Sequence, residues 1–145
     1  MSKNLTTEDM KNYIKGLLPK GVFNRYYCNL LDKNNPIEKQ LGVYYTKDNL
    51  QHIQVDYGCS IDRYTEGFTI LIQGTDNYQE SLDLSRLVLT NLYNDYYNKE
   101  TLKINDINIY TIQFLTDLID VSDFENENVY EFTINIVICY EYSLD

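Results

Sequence analysis

The chain has 145 residues, a mass of 17.2 kDa, and twelve Lys and Arg against 22 Asp and Glu, for a formal charge of −10 and a pI near 4.4. That sign argues against a reader of nucleic acid, whose phosphates it would repel, but it suits the wall of a conduit that DNA passes without being gripped. With 43% apolar residues, 23% charged residues, two prolines and six glycines, the composition excludes a disordered or fibrous chain, and the length predicts one domain, residues 1–145.

A helix is expected first. Thr6-Thr7-Glu8-Asp9 resembles a capping box with Asp in the place of Glu. Met10, Tyr13, Ile14, Leu17 and Leu18 then recur at helical spacing until Gly16, Pro19 and Gly21 end the helix, which places it at about residues 7–18. Val22–Leu31 reads as extended, Asp32–Pro36 as a polar loop, and Leu41–Thr46 as a second short strand. Lys47–Glu66 has scattered apolar positions without a sustained period, so it is expected to be mostly irregular with a short strand at Ile53–Tyr57. Connections of that length commonly carry function.

Phe68, Ile70 and Ile72 alternate with Thr69, Leu71 and Gln73 as a strand that stops at Gly74, and Asp76 with Gln79 is expected to cap a second helix. Over Asn77–Tyr93 the residues Tyr78, Leu82, Leu89, Leu92 and Tyr93 make one stripe, which Leu84, Leu87 and Val88 widen. Such a helix needs two partners: its own sheet, and either a neighbouring subunit or the first helix. Ile104–Leu115 carries apolar residues of both parities, which predicts a strand that is central or covered on both faces. After an acidic link at Asp117–Asn128, Tyr130, Phe132, Ile134, Ile136, Ile138, Tyr140 and Tyr142 fall on one parity, a long strand with one buried side. The order α, β, β, β, α, β, β predicts an α+β fold, an antiparallel sheet of four to five strands with two helices packed on it.

Chemistry is sparse. His52 stands beside Gln51 and Gln54 without a cysteine or carboxylate at ligand spacing, and Cys28, Cys59 and Cys139 are odd in number and isolated, so they read as reduced thiols. Asp117, Asp120, Asp123, Glu125 and Glu127 lack the calcium-loop pattern, and no glycine-rich phosphate loop occurs. The expectation is a non-enzyme that needs no cofactor or metal. No apolar stretch approaches the roughly 18 residues of a membrane span, and the N-terminus does not read as a signal peptide, so a soluble chain is expected. Fifteen tyrosines, including the adjacent pairs Tyr26-Tyr27, Tyr44-Tyr45 and Tyr96-Tyr97, put one member of each strand pair outward; this suits protein contact, unless codon usage alone inflates the count.

The stretch Gly67–Tyr93, reading GFTILIQG, TDNYQES and LDLSRLVLTNLY, resembles the signature of the tail terminator or minor capsid (tail completion) family of long-tailed bacteriophages. The N-terminal helix, the segment VFNRYYCNLL and the late strand NVYEFTINIVI stand in that family's order; Gln73 departs from the Arg that many relatives carry before the glycine. The resemblance implies an α+β subunit of a hexameric ring that caps the tail tube and joins it to the head. Its implied partners are further copies of itself, the tail tube protein and the neck or connector proteins. DNA would pass through the lumen, and the location would be the virion, with the host cytoplasm during assembly. The alternative is another neck, tail-completion or sheath-end adaptor.

On that reading, Gln51, His52, Gln54, Tyr57, Gln73, Asp76, Tyr78, Leu84, Leu87, Asp120, Asp123 and Glu125 are candidate subunit or partner contacts. Lys47–Glu66 and Asp117–Asn128 are expected to face axially or into the lumen. The sheet edge and Asn77–Tyr93 are expected nearer the surfaces between subunits.

Overall fold

The structure, a computed structural model, describes residues 4–28, 39–46, 52–55, 61–122 and 129–143. Helix α1 (Thr7–Leu17) begins as its sequence predicts: the Thr6 hydroxyl accepts from the Asp9 amide at 3.1 Å, and the Asp9 carboxylate accepts from the Thr6 amide at 3.0 Å. Strands β1 (Arg25–Cys28), β2 (Gln40–Tyr45), β3 (His52–Val55) and β4 (Ile61–Gln73) follow. Helix α2 (Tyr78–Asn98), β5 (Leu102–Ile104), β6 (Ile107–Phe114), β7 (Ile119–Asp120) and β8 (Glu131–Ser143) complete the chain.

The α+β class stands, but the sheet is larger than expected and is mixed. Among the described residues it has eight strands, with β1-β2-β4-β8-β6-β5 as its main path, β3 also pairing β4 and β7 also pairing β8. The β1–β2 pair is parallel, Arg25 opposite Gln40 through Cys28 opposite Val43, and every other pairing is antiparallel. A parallel pair needs a crossover, whereas sequential hairpins were expected. The polar stretch read as a loop, Asp32–Pro36, lies outside the described residues.

The long central strands hold the fold. β4 and β8 pair over their full lengths, Ile61 opposite Ser143 to Gln73 opposite Glu131. One face carries Phe68, Ile70, Ile72, Phe132, Ile134, Ile136, Ile138 and Tyr140, all buried, under α1 residues Met10 and Ile14. The parity read for the last strand is therefore its core face.

Residues 61–66, expected to be irregular, are the first half of β4. Their alternation was hidden because Glu66 occupies a core-facing position between Tyr64 and Phe68 and is 3% exposed. The Tyr140 hydroxyl donates to its carboxylate at 3.2 Å, which lets an acid stand in an apolar row.

Ile104–Leu115 was expected as one strand, central or covered on both faces; it is instead most of the β5–β6 hairpin, with one buried face, and β6 lies inside the sheet between β5 and β8. Asn105 and Asp106 both have positive φ, 49° and 65°, as the two central residues of a tight type I′ turn require. The change of apolar parity comes from a bulge in the β6–β8 ladder between Ile109 and Thr111. Ile107, Ile109 and Ile112 all face the core across that shift, and Tyr110, the extra residue, turns outward with the Arg63 guanidinium carbon 4.8 Å from its ring centre.

Helix α2 differs from expectation at both ends and in its buried face. Its cap is Asn77, whose side chain accepts from the Glu80 amide at 2.9 Å, and not Asp76; it runs on to Asn98. The residues against the sheet are Ser81, Ser85, Val88 and Leu92, while Tyr78 is exposed and Leu82 and Leu89 are only half-buried. At about 100° per residue the contact face is turned roughly 70° from the apolar stripe. Small side chains win the contact because the helix start lies hard against the end of β4: a Cβ on Gly74 would fall 2.3 Å from Ser81 Oγ.

Candidate assembly surfaces

Turning α2 onto its serine side leaves the bulky side at the surface. Tyr93 is 44% exposed and Tyr97 61%; their ring centres lie 4.5 Å apart with the planes tilted by 35°, and Tyr93 also lies 4.8 Å from Phe114 at the end of β6. Leu115, Ile119 and Val121 are also exposed, on the β6–β7 edge, where the register of Ile119 opposite Thr133 turns them to the sheet face away from the helices. At the other end of α2, Tyr78 packs edge-on to Tyr130 at 5.2 Å and remains exposed. Tyrosine and aliphatic side chains exposed in patches on rigid elements are the kind of surface that protein contacts cover.

The elements that carry these patches are tied together: Asp95 on α2 accepts the Tyr13 hydroxyl of α1 at 2.5 Å, which joins the two helices, and it also pairs with Lys99 one turn on at 2.9 Å. The Asn105 side chain donates to Asp9 at 2.6 Å, fastening the β5–β6 turn to the start of α1. On the sheet face away from the helices, the Thr69 hydroxyl donates to Asn135 at 2.7 Å and lies 3.1 Å from that of Thr46. Apart from the Asp95–Lys99 pair, each of these bonds joins parts of the chain distant in sequence, so residue types alone do not reveal them.

Burial raises the hydroxyl pKa of Tyr13 and Tyr140 well above the usual tyrosine range, with Asp95 adding to the effect at Tyr13 and Glu66 at Tyr140. For a phenol raised in the folded state, stability is intact below the unfolded value near 10 and falls as the pH climbs past it, since only the unfolded chain then ionises. Denaturant titrations between pH 8 and 11 are expected to show stability dropping above about pH 10, by up to about 1.4 kcal/mol per pH unit for Tyr140. Tyr140→Phe should flatten that slope. An identical slope in the variant would remove Tyr140 as the cause.

Little on the described surface is primed for chemistry. The Cys28 thiol donates to Glu8 at 2.9 Å, and burial together with that bond pushes its pKa up, the reverse of an activated nucleophile. Among the described residues no cluster of three or more His, Cys, Asp and Glu is placed to hold a metal ion, and no helix is long and apolar enough to cross a membrane.

The expected contact residues fall into distinct settings. Tyr78 and Leu87 are exposed on α2, Leu84 is half-buried there, and Asp76 and Asp120 are exposed. Gln73 is fully buried beside its cross-strand neighbours Gln40 and Glu131, so it offers no surface to a partner. His52 and Gln54 lie in β3, paired with Thr65 and Arg63 of β4. Gln51, Tyr57, Asp123 and Glu125 lie outside the described residues. Tyr97, Leu115, Ile119 and Val121 were not among the expected contacts. The helix was expected to end at Tyr93, and a tyrosine at the spacing of Tyr97 after Tyr93 was the available signal.

A scan against family models and a search of curated proteins both return no match for this chain.

Proposed function

We propose that this chain is a ring-forming tail terminator of a long-tailed bacteriophage, a virion protein that caps the tail tube and provides the surface on which head and tail join. The observation that carries the reading is a pair of distinct exposed apolar surfaces, the tyrosines of α2 on the helix side of the sheet and Leu115, Ile119 and Val121 of the β6–β7 edge on its other face. A subunit that repeats around a ring needs two rigid lateral surfaces that differ from each other, because head-to-tail contacts close only when the rotation between copies is fixed. The formal charge of −10 fits a lumen past which DNA must slide.

The resemblance of Gly67–Tyr93 to the terminator family supplies the biological setting, and the fold supports it locally. The strand, the tight corner at Gly74 and the helix stand in the expected succession as β4, Gly74 and α2. Sedimentation of the purified chain, alone and with tail tubes assembled from the tube protein of the same particle, tests the proposal. The expected result is a hexamer, free or bound at one end of each tube, with tube growth arrested there. A chain that stays monomeric under both conditions and leaves tube length unchanged would overturn it. Binding to the neck side only would assign it to the adaptor class.

A further inference from the structure

The charge of this chain is unevenly spread. Residues 1–25 carry five cations and two acids, a net +3 in a protein of net −10. Four of those cations, Lys11, Lys15, Lys20 and Arg25, line one groove of about 640 Å³ between the C-terminal half of α1 and the start of β1. Neither Asp nor Glu is among its described lining residues. The groove is not simply wet charge, because Leu18 and Phe23 are buried beneath it, Tyr26 packs edge-on to Phe23 at 5.6 Å, and the Lys15 ammonium sits 5.5 Å from the Tyr26 ring centre.

Part of this has a local cause, since a lysine in the last turn of a helix complements the negative end of its dipole, and Lys11 pairs with Glu8 at 3.0 Å. Neither reason reaches Lys20, past the helix end. A basic rim over an apolar floor selects an extended acidic segment that also carries apolar side chains. The chain itself displays one: Asp117, Ile119, Asp120 and Val121 are all exposed along the β7 edge.

These two surfaces cannot meet within one molecule. Arg25 lies opposite Gln40, Gln40 opposite Gln73 and Gln73 opposite Glu131, and the Val121 amide donates to the Glu131 carbonyl at 3.0 Å. Groove and acidic edge thus stand on one cross-strand row at opposite flanks, four strand spacings or roughly 19 Å apart along the sheet. The β7 pairing, Ile119 with Thr133 and Asp120 with Phe132, holds the acidic edge there. Complementary surfaces at opposite flanks of one subunit are what a head-to-tail contact between copies requires.

We propose that the basic groove between α1 and β1 receives the acidic edge Asp117–Ser122 of a second copy, joining copies head to tail. The proposal rests on the ring-forming reading above and names its lateral contact. Charge reversal tests it in the full-length chain. Lys15→Glu/Lys20→Glu changes two exposed side chains of the groove, and Asp117→Lys/Asp120→Lys changes two of the edge; circular dichroism and the melting temperature check that each still folds.

Each variant alone is expected to assemble at least tenfold more weakly than the wild type. An equal mixture of the two is expected to regain near-wild-type assembly, because every groove then finds an edge of opposite sign in an alternating ring. Rising salt should weaken the wild-type association, since rim charges beyond a Debye length of about 8–10 Å are screened near physiological ionic strength. Rings unaffected by either reversal would overturn this contact and leave the ring reading standing. Two defective variants that fail to rescue one another in the mixture would also overturn it. A wild-type chain that stays monomeric with and without tail tubes would remove both.

Discussion

Gly74→Ala is expected to destabilise the protein by about 3 kcal/mol, as overpacking at a site that cannot yield. The added Cβ would lie 2.3 Å from Ser81 Oγ, 2.5 Å from its Cβ and 2.9 Å from its Cα. The hydroxyl could swing aside only by giving up the Thr75 amide, which it accepts at 2.8 Å, and the Thr75 carbonyl, to which it donates at 3.2 Å. The backbone cannot move easily either. The Gly74 amide donates to the Tyr130 carbonyl and the Tyr130 amide to the Thr75 carbonyl, both at 2.9 Å, which pins the end of β4 to the entry of β8. Thermal or urea denaturation measures the loss, and Ser81→Gly in the same chain should recover part of it, a coupling that a double-mutant cycle reads directly. A Gly74→Ala protein within half a kilocalorie of the wild type would mean that α2 does not approach β4 this closely.

Two leucines on α2 test which side of that helix meets the sheet. Leu92→Ala is expected to cost about 3 kcal/mol, in the range for truncating a buried leucine, since Leu92 is 1% exposed and belongs to the core cluster. Leu89→Ala, on the flank half open to solvent, should cost about 1 kcal/mol, for less apolar area leaves water there and the site can relax. The apolar stripe by itself treats the two positions alike. Equal losses would place the contact face on that stripe and return Tyr93 and Tyr97 to the interior, removing the exposed tyrosine patch of α2.

The capping box at Thr6 and Asp9 was legible because it is a local hydrogen-bond pattern with its own residue code. The core face of β8 was legible because six apolar side chains of the strand fall on one parity. Glu66 broke the same signal on β4, as a single buried carboxylate reads like a surface residue until Tyr140, 74 positions away, is seen to satisfy it. Asn105-Asp106 did not read as a hairpin turn because the usual residue at its second position is glycine. Without the bulge at Tyr110, the parity change in β6 looked like burial on both faces.

What the sequence determined by itself is therefore the α+β class, the two helices, the buried parity of the last strand and the acidic balance, all set by short-range periodicity and composition. Only the tertiary structure decided the parallel β1–β2 pair, the face on which α2 lies and the surfaces left for partners. The face of α2 was decided by closeness of approach: Ser81 and Ser85 let the helix settle against Gly74 and β8, where the larger leucines of the apolar stripe would have held it off. The basic groove is likewise a tertiary product, since Lys11, Lys15, Lys20 and Arg25 come from a helix, a turn and a strand, and become one surface only when α1 packs beside β1.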